Sequence, residues 1–296
     1  MKSEAGVAAS NTIIFTGMAL TGFAANSILS RMALGHHSID AASFTFIRLL
    51  SGAMMLILIS AFLRKKSSPG GGDWFASIML FLYAITFSFA YTSLDTGSGA
   101  LILFGSVQLT MILAALRLGE VPRPVDWIGL SLALGGLAYL VYPGLRAPSM
   151  SGSILMAISG VAWGCYSLRG RGSQNPLAET TVNFSRALPF ALLVCLISIR
   201  DIEITGGGIM LATLSGAIAS ALGYVIWYAA LRGLTATRAA LVQLCVPLLA
   251  AAGGAVLLLE AVSNRLIIAS IMTLGGIALA LAGGKRISSQ RSALRR

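Results

Sequence analysis

Two arginines stand inside stretches that otherwise read as lipid-soluble, Arg48 in FTFIRLLSG and Arg186 in NFSRALPF. A charge at mid-bilayer costs roughly 2.5–3.5 kcal/mol on insertion scales, so each needs a partner or a purpose. Both lie about 10–13 Å deep at 1.5 Å per residue. Two chemistries suit them: hydrogen bonds to helix-end carbonyls or to the opposite half of the chain, or capture of a solute carboxylate. The ten carboxylates all fall in loops or at the ends of apolar runs, as do His36 and His37. Glu120 and Glu260 close equivalent runs, where an acid anchors the chain at the membrane surface by pairing with arginine or capping the next helix; a gating salt bridge is the alternative. Without a buried Asp, Glu or His, tight proton coupling through an intramembrane acid is not expected.

Aromatic and amide side chains fall at middle depth. Tyr83, Phe87 and Tyr91 recur every fourth residue and share one helical face. Trp163 and Tyr166 form a second pair, and Tyr224, Trp227 and Tyr228 a third. Asn26, Gln108, Asn183 and Gln243 bring neutral polar groups to similar depths. Tyrosine and tryptophan near span ends normally mark the membrane interface. Trp163, Tyr83 and Tyr224 sit too deep for that. They suit either bundle packing or the wall of a neutral cavity for amphipathic solutes. Pro247 and Pro189 remove backbone donors inside apolar runs, which kinks a helix or marks a flexing point.

The elements that would carry these groups are ten apolar runs, at about 11–31, 41–63, 74–94, 98–117, 124–143, 152–169, 177–199, 209–230, 235–258 and 264–284. The chain is one unit written twice. An offset of 138 overlays Met18, Gly22, Ala24, Arg31 and Arg48 on Met156, Gly160, Ala162, Arg169 and Arg186. An offset of 140 overlays Leu118, Glu120 and Leu134-Gly135-Gly136 on Leu258, Glu260 and Leu274-Gly275-Gly276. The seam at Tyr142–Pro148 divides a first repeat, 1–146, from a second, 147–296. Five crossings per repeat force the second copy to enter from the opposite side, which makes the repeats inverted. The expected fold is all-α and integral to the membrane, ten transmembrane helices in two inverted five-helix repeats around a central cavity.

Composition supports the membrane assignment. Of 296 residues, 56% are hydrophobic and 10% charged, against about 25% charged in soluble domains. The net charge of +11 is one-sided: with a cytoplasmic N-terminus, fifteen Lys and Arg fall on that side and four on the other. This bias orients both termini to the cytoplasm. The basic tail is expected to meet anionic lipid headgroups; nucleic acid is not expected as a partner, since no aromatic readers accompany the charge. Cys165, Cys195 and Cys245 fit neither a disulfide framework nor a metal site. Neither a paired-carboxylate site nor a His-rich cluster nor a phosphate-loop context argues for an enzyme.

The paired spans, the FIRLL and NFSRAL segments and the endings LGE–GLSLALGG and LLE–IIASIMTLGG resemble the drug/metabolite transporter superfamily, in particular its EamA-like exporters. Trp163-Gly164 and the aromatic third and eighth spans resemble most the YddG-type exporters of aromatic amino acids, proteins of the bacterial inner membrane. The first-helix glutamate of the small multidrug pumps has no counterpart. The resemblance implies a ten-helix basket working by alternating access, without cofactor. The resulting expectation is a monomeric exporter of neutral, aromatic or bulky apolar amino acids and related metabolites. Trp163, Tyr83 and Tyr224 would enclose the side chain. Asn26, Gln108 and Gln243 would bond the amino and carboxylate groups. Arg48, Arg186, Glu120, Glu260 and Pro247 would act in structure or gating. Efflux of hydrophobic drugs or organic cations is the competing expectation.

Overall fold

The computed structural model describes residues 2–63, 73–117, 124–144, 147–170, 173, 175–231, 233–234, 239 and 242–283. Side chains are described from Asn11 onward, except at 115–116 and 281–283. Glu120 and most of the basic 64–73 loop lie outside these residues.

Ten helices run through the described chain: α1 (Lys2–Gly35), α2 (Ala41–Phe62), α3 (Trp74–Tyr91), α4 (Thr96–Arg117), α5 (Pro124–Val141), α6 (Met150–Arg169), α7 (Pro176–Ile197), α8 (Gly206–Leu231), α9 (Cys245–Leu257) and α10 (Asn264–Gly283). Among the described residues the only β pairing is one isolated bridge, Ile39 to Ile204. Eight helices are long and apolar enough to cross a bilayer; the stretches Cys245–Leu257 and Asn264–Ala280 are apolar but shorter. The chain places caps where helices begin. Asp40 accepts from the Ser43 N–H, Asp73 from Phe75, Ser149 from Gly152, Asn175 from Ala178 and Thr205 from Gly208. Each cap satisfies a backbone donor that lipid cannot.

Burial is arranged as a bilayer requires. Large apolar side chains point outward: Phe62 is 85% exposed, Val256 74% and Ile197 73%. In water such a surface would aggregate; against acyl chains it is solvated. Small and hydroxylated residues face inward. Several of their hydroxyls are satisfied within their own helices, Ser30 donating to the Asn26 carbonyl, Thr45 to Ala41 and Ser88 to Ala84. Helix backbones therefore approach closely. Where α5 crosses α10, a Cβ on Gly129 would lie 2.5 Å from the Gly276 carbonyl oxygen, and one on Gly276 equally close to that of Gly129.

The principal packing follows the repeat. α1 lies against α8 and α9, and its counterpart α6 lies against α3 and α4. α2 packs on α8 as α7 packs on α3, while α2–α7, α4–α9 and α5–α10 pair across the two halves. Exchanging each helix for the one five positions on leaves these pairs unchanged.

Pro247 was expected within a long span. The helix instead begins at Cys245, which puts the proline in its first turn, where the missing N–H has no intrahelical acceptor to lose. Pro189 does sit inside α7.

Candidate functional site: a ring cluster with a buried arginine between two ion-paired ends

The centre of the bundle is built from α1, α2, α3, α4, α6 and α8, drawn from both repeats. The Trp163 ring lies 4.9 Å from Tyr83, 5.0 Å from Tyr224 and 5.4 Å from Tyr166. Phe23 meets Tyr224 and Trp227 edge-on at 6.1 and 5.8 Å. The structure thus brings together the three aromatic residues singled out in the sequence. A roomy vestibule was expected between them. The rings instead nearly fill the space, leaving a cavity of about 20 Å³ bordered by Phe23, Asn26, Tyr83, Trp163 and Tyr224. Ligand pockets run to about 300–1,000 Å³, so the space between the rings is too small for a solute in this conformation. Larger cavities lie toward the two ends, 340 Å³ beside Asp95 and Glu260 and 250 Å³ beside Asp73 and Arg169.

The expectation of an uncharged centre needs correction. Arg48 is 2% exposed and reaches the ring cluster. Its Nη2 donates to the Tyr83 hydroxyl at 2.8 Å and its Nε to Ser220 Oγ at 3.3 Å. Its guanidinium carbon stands 4.8 Å from the Phe87 ring centroid and 5.2 Å from that of Tyr83. Asn26 donates to the same Tyr83 hydroxyl at 3.4 Å and accepts from Ser215 at 2.7 Å. Arg186, its repeat partner, is placed differently. It is half-buried on the flank of α7, 5.0 Å from the Trp74 ring centroid. The buried stripe of α2 passes through Phe44, Arg48, Leu49 and Gly52, whereas that of α7 passes through Thr180, Phe184, Ala187 and Ala191 and misses Arg186.

A π-helical stretch, Leu214–Leu222, interrupts α8. In a regular helix of 3.6 residues per turn, positions five apart diverge. The wider π turn, closed by i to i+5 hydrogen bonds, returns them to one side. It thereby directs both Ser215 and Ser220 at the Asn26–Arg48 network. Gly216 makes this possible, because a Cβ there would strike the Arg48 carbonyl and the Ser51 hydroxyl. Nothing in LSGAIASAL signals the π turn; Ser215 reads in the sequence as part of a small-residue packing face with Ala219 and Gly223, and the polar role of either serine is not legible there.

Gln108 and Gln243 do not border the central cavity. Gln108 Nε2 donates to Gln243 Oε1 at 3.5 Å, joining α4 to the chain entering α9. Glu260 stands at one end of the bundle. It accepts from Arg31 Nε at 3.2 Å and from the Thr96 N–H at 2.8 Å, so one carboxylate pairs a cation on α1 and caps α4. Arg31 also meets Asp95 at 3.5 Å and the Tyr91 carbonyl at 3.1 Å. At the other end Arg169, the repeat counterpart of Arg31, bridges to Asp73 and joins α6 to α3. The Arg169 hydrogen bond holds the Asp73 carboxyl below its ordinary range. These pairs link helical arginines to carboxylates outside the helices and distant in sequence, and only the fold shows which meets which.

A bundle of lipid-facing helices, with a ring cluster at its centre and ion pairs tying both ends, is the build of a multi-pass membrane protein. The chain belongs to the EamA-like transporter family, whose model matches twice, at residues 11–142 and 150–282. It is 50% identical to the uncharacterized protein PA1977 of Pseudomonas aeruginosa over 271 residues, 92% of this chain and 94% of that one. A probable amino-acid metabolite efflux pump of Salmonella typhimurium is 26% identical over 210 residues, covering 66% of this chain and 70% of its own. A solved structure, 22% identical, shares the fold with a TM-score of 0.62, covering 92% of this chain and 98% of its own.

Proposed function

We propose that this transporter exports neutral amino acids with aromatic or bulky apolar side chains, and related metabolites, across the bacterial inner membrane. The observation that carries the reading is Trp163 lying within 5.0 Å of both Tyr83 and Tyr224, beside Asn26, where the two repeats meet. Rings in this arrangement offer a solute side chain apolar faces, and Asn26 supplies a polar contact. Gln108 and Gln243, bonded to each other, hold the α4–α9 seam rather than the solute. The printed name of the Salmonella relative and the likeness to YddG-type exporters point the same way.

The mechanism is alternating access by ten spans in two inverted repeats. The exchange symmetry of the packing supports it, as does the placement of Arg31 and Arg169, equivalent residues that tie opposite ends. Opening of either end gives the central site one exit, and a solute shifts the balance between states by binding them unequally. The excess of Lys and Arg on one side supports an orientation with both termini in the cytoplasm. Each half completes the site of the other within a single chain, so a monomer suffices.

Liposomes containing the protein and loaded with phenylalanine, methionine or threonine should release at least one faster than protein-free liposomes, with Trp163→Ala at background. Equal release across a broad amino-acid panel would remove the proposal.

A further inference from the structure

We propose that Arg48 is the receptor for an anionic group of the solute, a carboxylate, and that the central site therefore selects carboxylate-bearing molecules and rejects cations. The inference rests on the ring cluster being the solute site and names the charge of what enters it.

A guanidinium has five N–H donors. Arg48 uses Nε on Ser220 and one Nη2 proton on Tyr83. Its Nη1 is buried and has no partner. Among the described residues no carboxylate forms an ion pair with Arg48. A buried, unpaired charge is among the most costly features a protein can hold. Here it is held in place by neutral hydroxyls and by the faces of Phe87 and Tyr83. Such contacts position the cation without cancelling it.

Arg48 does not itself border the central cavity, but three residues that hold its guanidinium, Tyr83, Phe87 and Ser220, do, so the widening that admits a solute must also uncover Nη1. The remaining Nη1 and Nη2 protons form the planar fork that matches a carboxylate with two parallel hydrogen bonds. A solute carboxylate would satisfy Nη1 and supply the missing countercharge in one step. A monocation in the same place would face an uncompensated like charge in a medium of low dielectric. This is the observation against cationic drugs as cargo.

The test is binding by purified protein, read by tryptophan fluorescence, with four ligands of one shape: phenylalanine, 3-phenylpropionate, phenylalaninamide and phenethylamine. The wild type should bind both carboxylates at least tenfold more tightly than the amide, with phenethylamine weakest. Arg48→Gln should bring the amide and the amino acid within about twofold of each other, and Arg48→Lys should keep part of the preference. Equal binding of amide and amino acid by the wild type overturns the proposal, as does a folded Arg48→Gln protein that keeps the tenfold preference. If Arg48→Gln does not fold, the wild-type panel and Arg48→Lys decide. Failure of the export reading looks different. Phenylalanine would not cross, while 3-phenylpropionate binding would still depend on Arg48. No measurable binding of either carboxylate refutes the Arg48 site itself.

Discussion

Neutralising Glu260 should loosen one end of the bundle by an amount the structure sets. Its carboxylate accepts from Arg31 at 3.2 Å and from the Thr96 N–H at 2.8 Å, with side-chain exposures of 14% for Glu260 and 21% for Arg31. Glu260→Gln keeps an oxygen to cap α4 and removes the charge that holds Arg31. Hydrogen bonds to charged groups contribute about 1.5–3 kcal/mol, and Asp95, at 3.5 Å and 62% exposed, replaces little of this. If the contact breaks when this end opens, the open fraction rises by at least about tenfold, since each 1.4 kcal/mol is a factor of ten. The reporter is Ser27→Cys, at a position 1% exposed and bordering the central cavity, in a background lacking Cys165, Cys195 and Cys245. Its labelling by a polar maleimide requires opening, so the rate tracks the open fraction. Adding Glu260→Gln should accelerate labelling about tenfold or more from the Glu260 side. An unchanged rate would refute the view that Arg31–Glu260 is a closure; the pair would then only anchor the α4 cap.

Tyr83→Phe removes the hydroxyl that accepts from Arg48 and Asn26; a buried guanidinium losing such a bond should cost about 1.5–3 kcal/mol, seen as a lower melting temperature. Gly276→Leu drives a side chain into the Gly129 carbonyl and should destabilise by about 1–3 kcal/mol through overpacking, whereas Gly275→Ala, facing open space, should be nearly neutral in the same melt. The Asp73 carboxyl is held below its ordinary value by Arg169, so its contribution is present at neutral pH and lost only as pH falls through the lowered value. Labelling from the Asp73 end, divided at each pH by the rate of a fully exposed reference cysteine because the reactive thiolate falls with pH, should therefore stay flat from pH 8 to about 5 and rise in stronger acid, and Asp73→Asn should abolish that rise.

The repeat was legible because duplicated residues keep their spacing, and the packing exchange between α1 and α6 follows from it. The family was legible for the same reason. Trp163, Tyr83 and Tyr224 could be found because their depth is wrong for an interfacial belt. What escaped depends on faces and distances that spacing does not encode. Arg48 and Arg186 share an offset, yet one lies on the buried stripe of its helix and the other on a flank. Gln108 and Gln243 share a depth with Asn26, but they bond each other. Ser215 and Ser220 reach one network only through a π turn written in ordinary small residues. The ion pairs join helical arginines to loop carboxylates far away in the chain, and a loop carboxylate carries no mark of which arginine it meets.

The most direct test of alternating access through one central site is counterflow. Liposomes loaded with unlabelled phenylalanine should accumulate labelled phenylalanine transiently and saturably when they contain the wild type, and not when they contain Trp163→Ala. Absence of counterflow for every neutral amino acid tried, in protein shown to be folded and inserted, would contradict it.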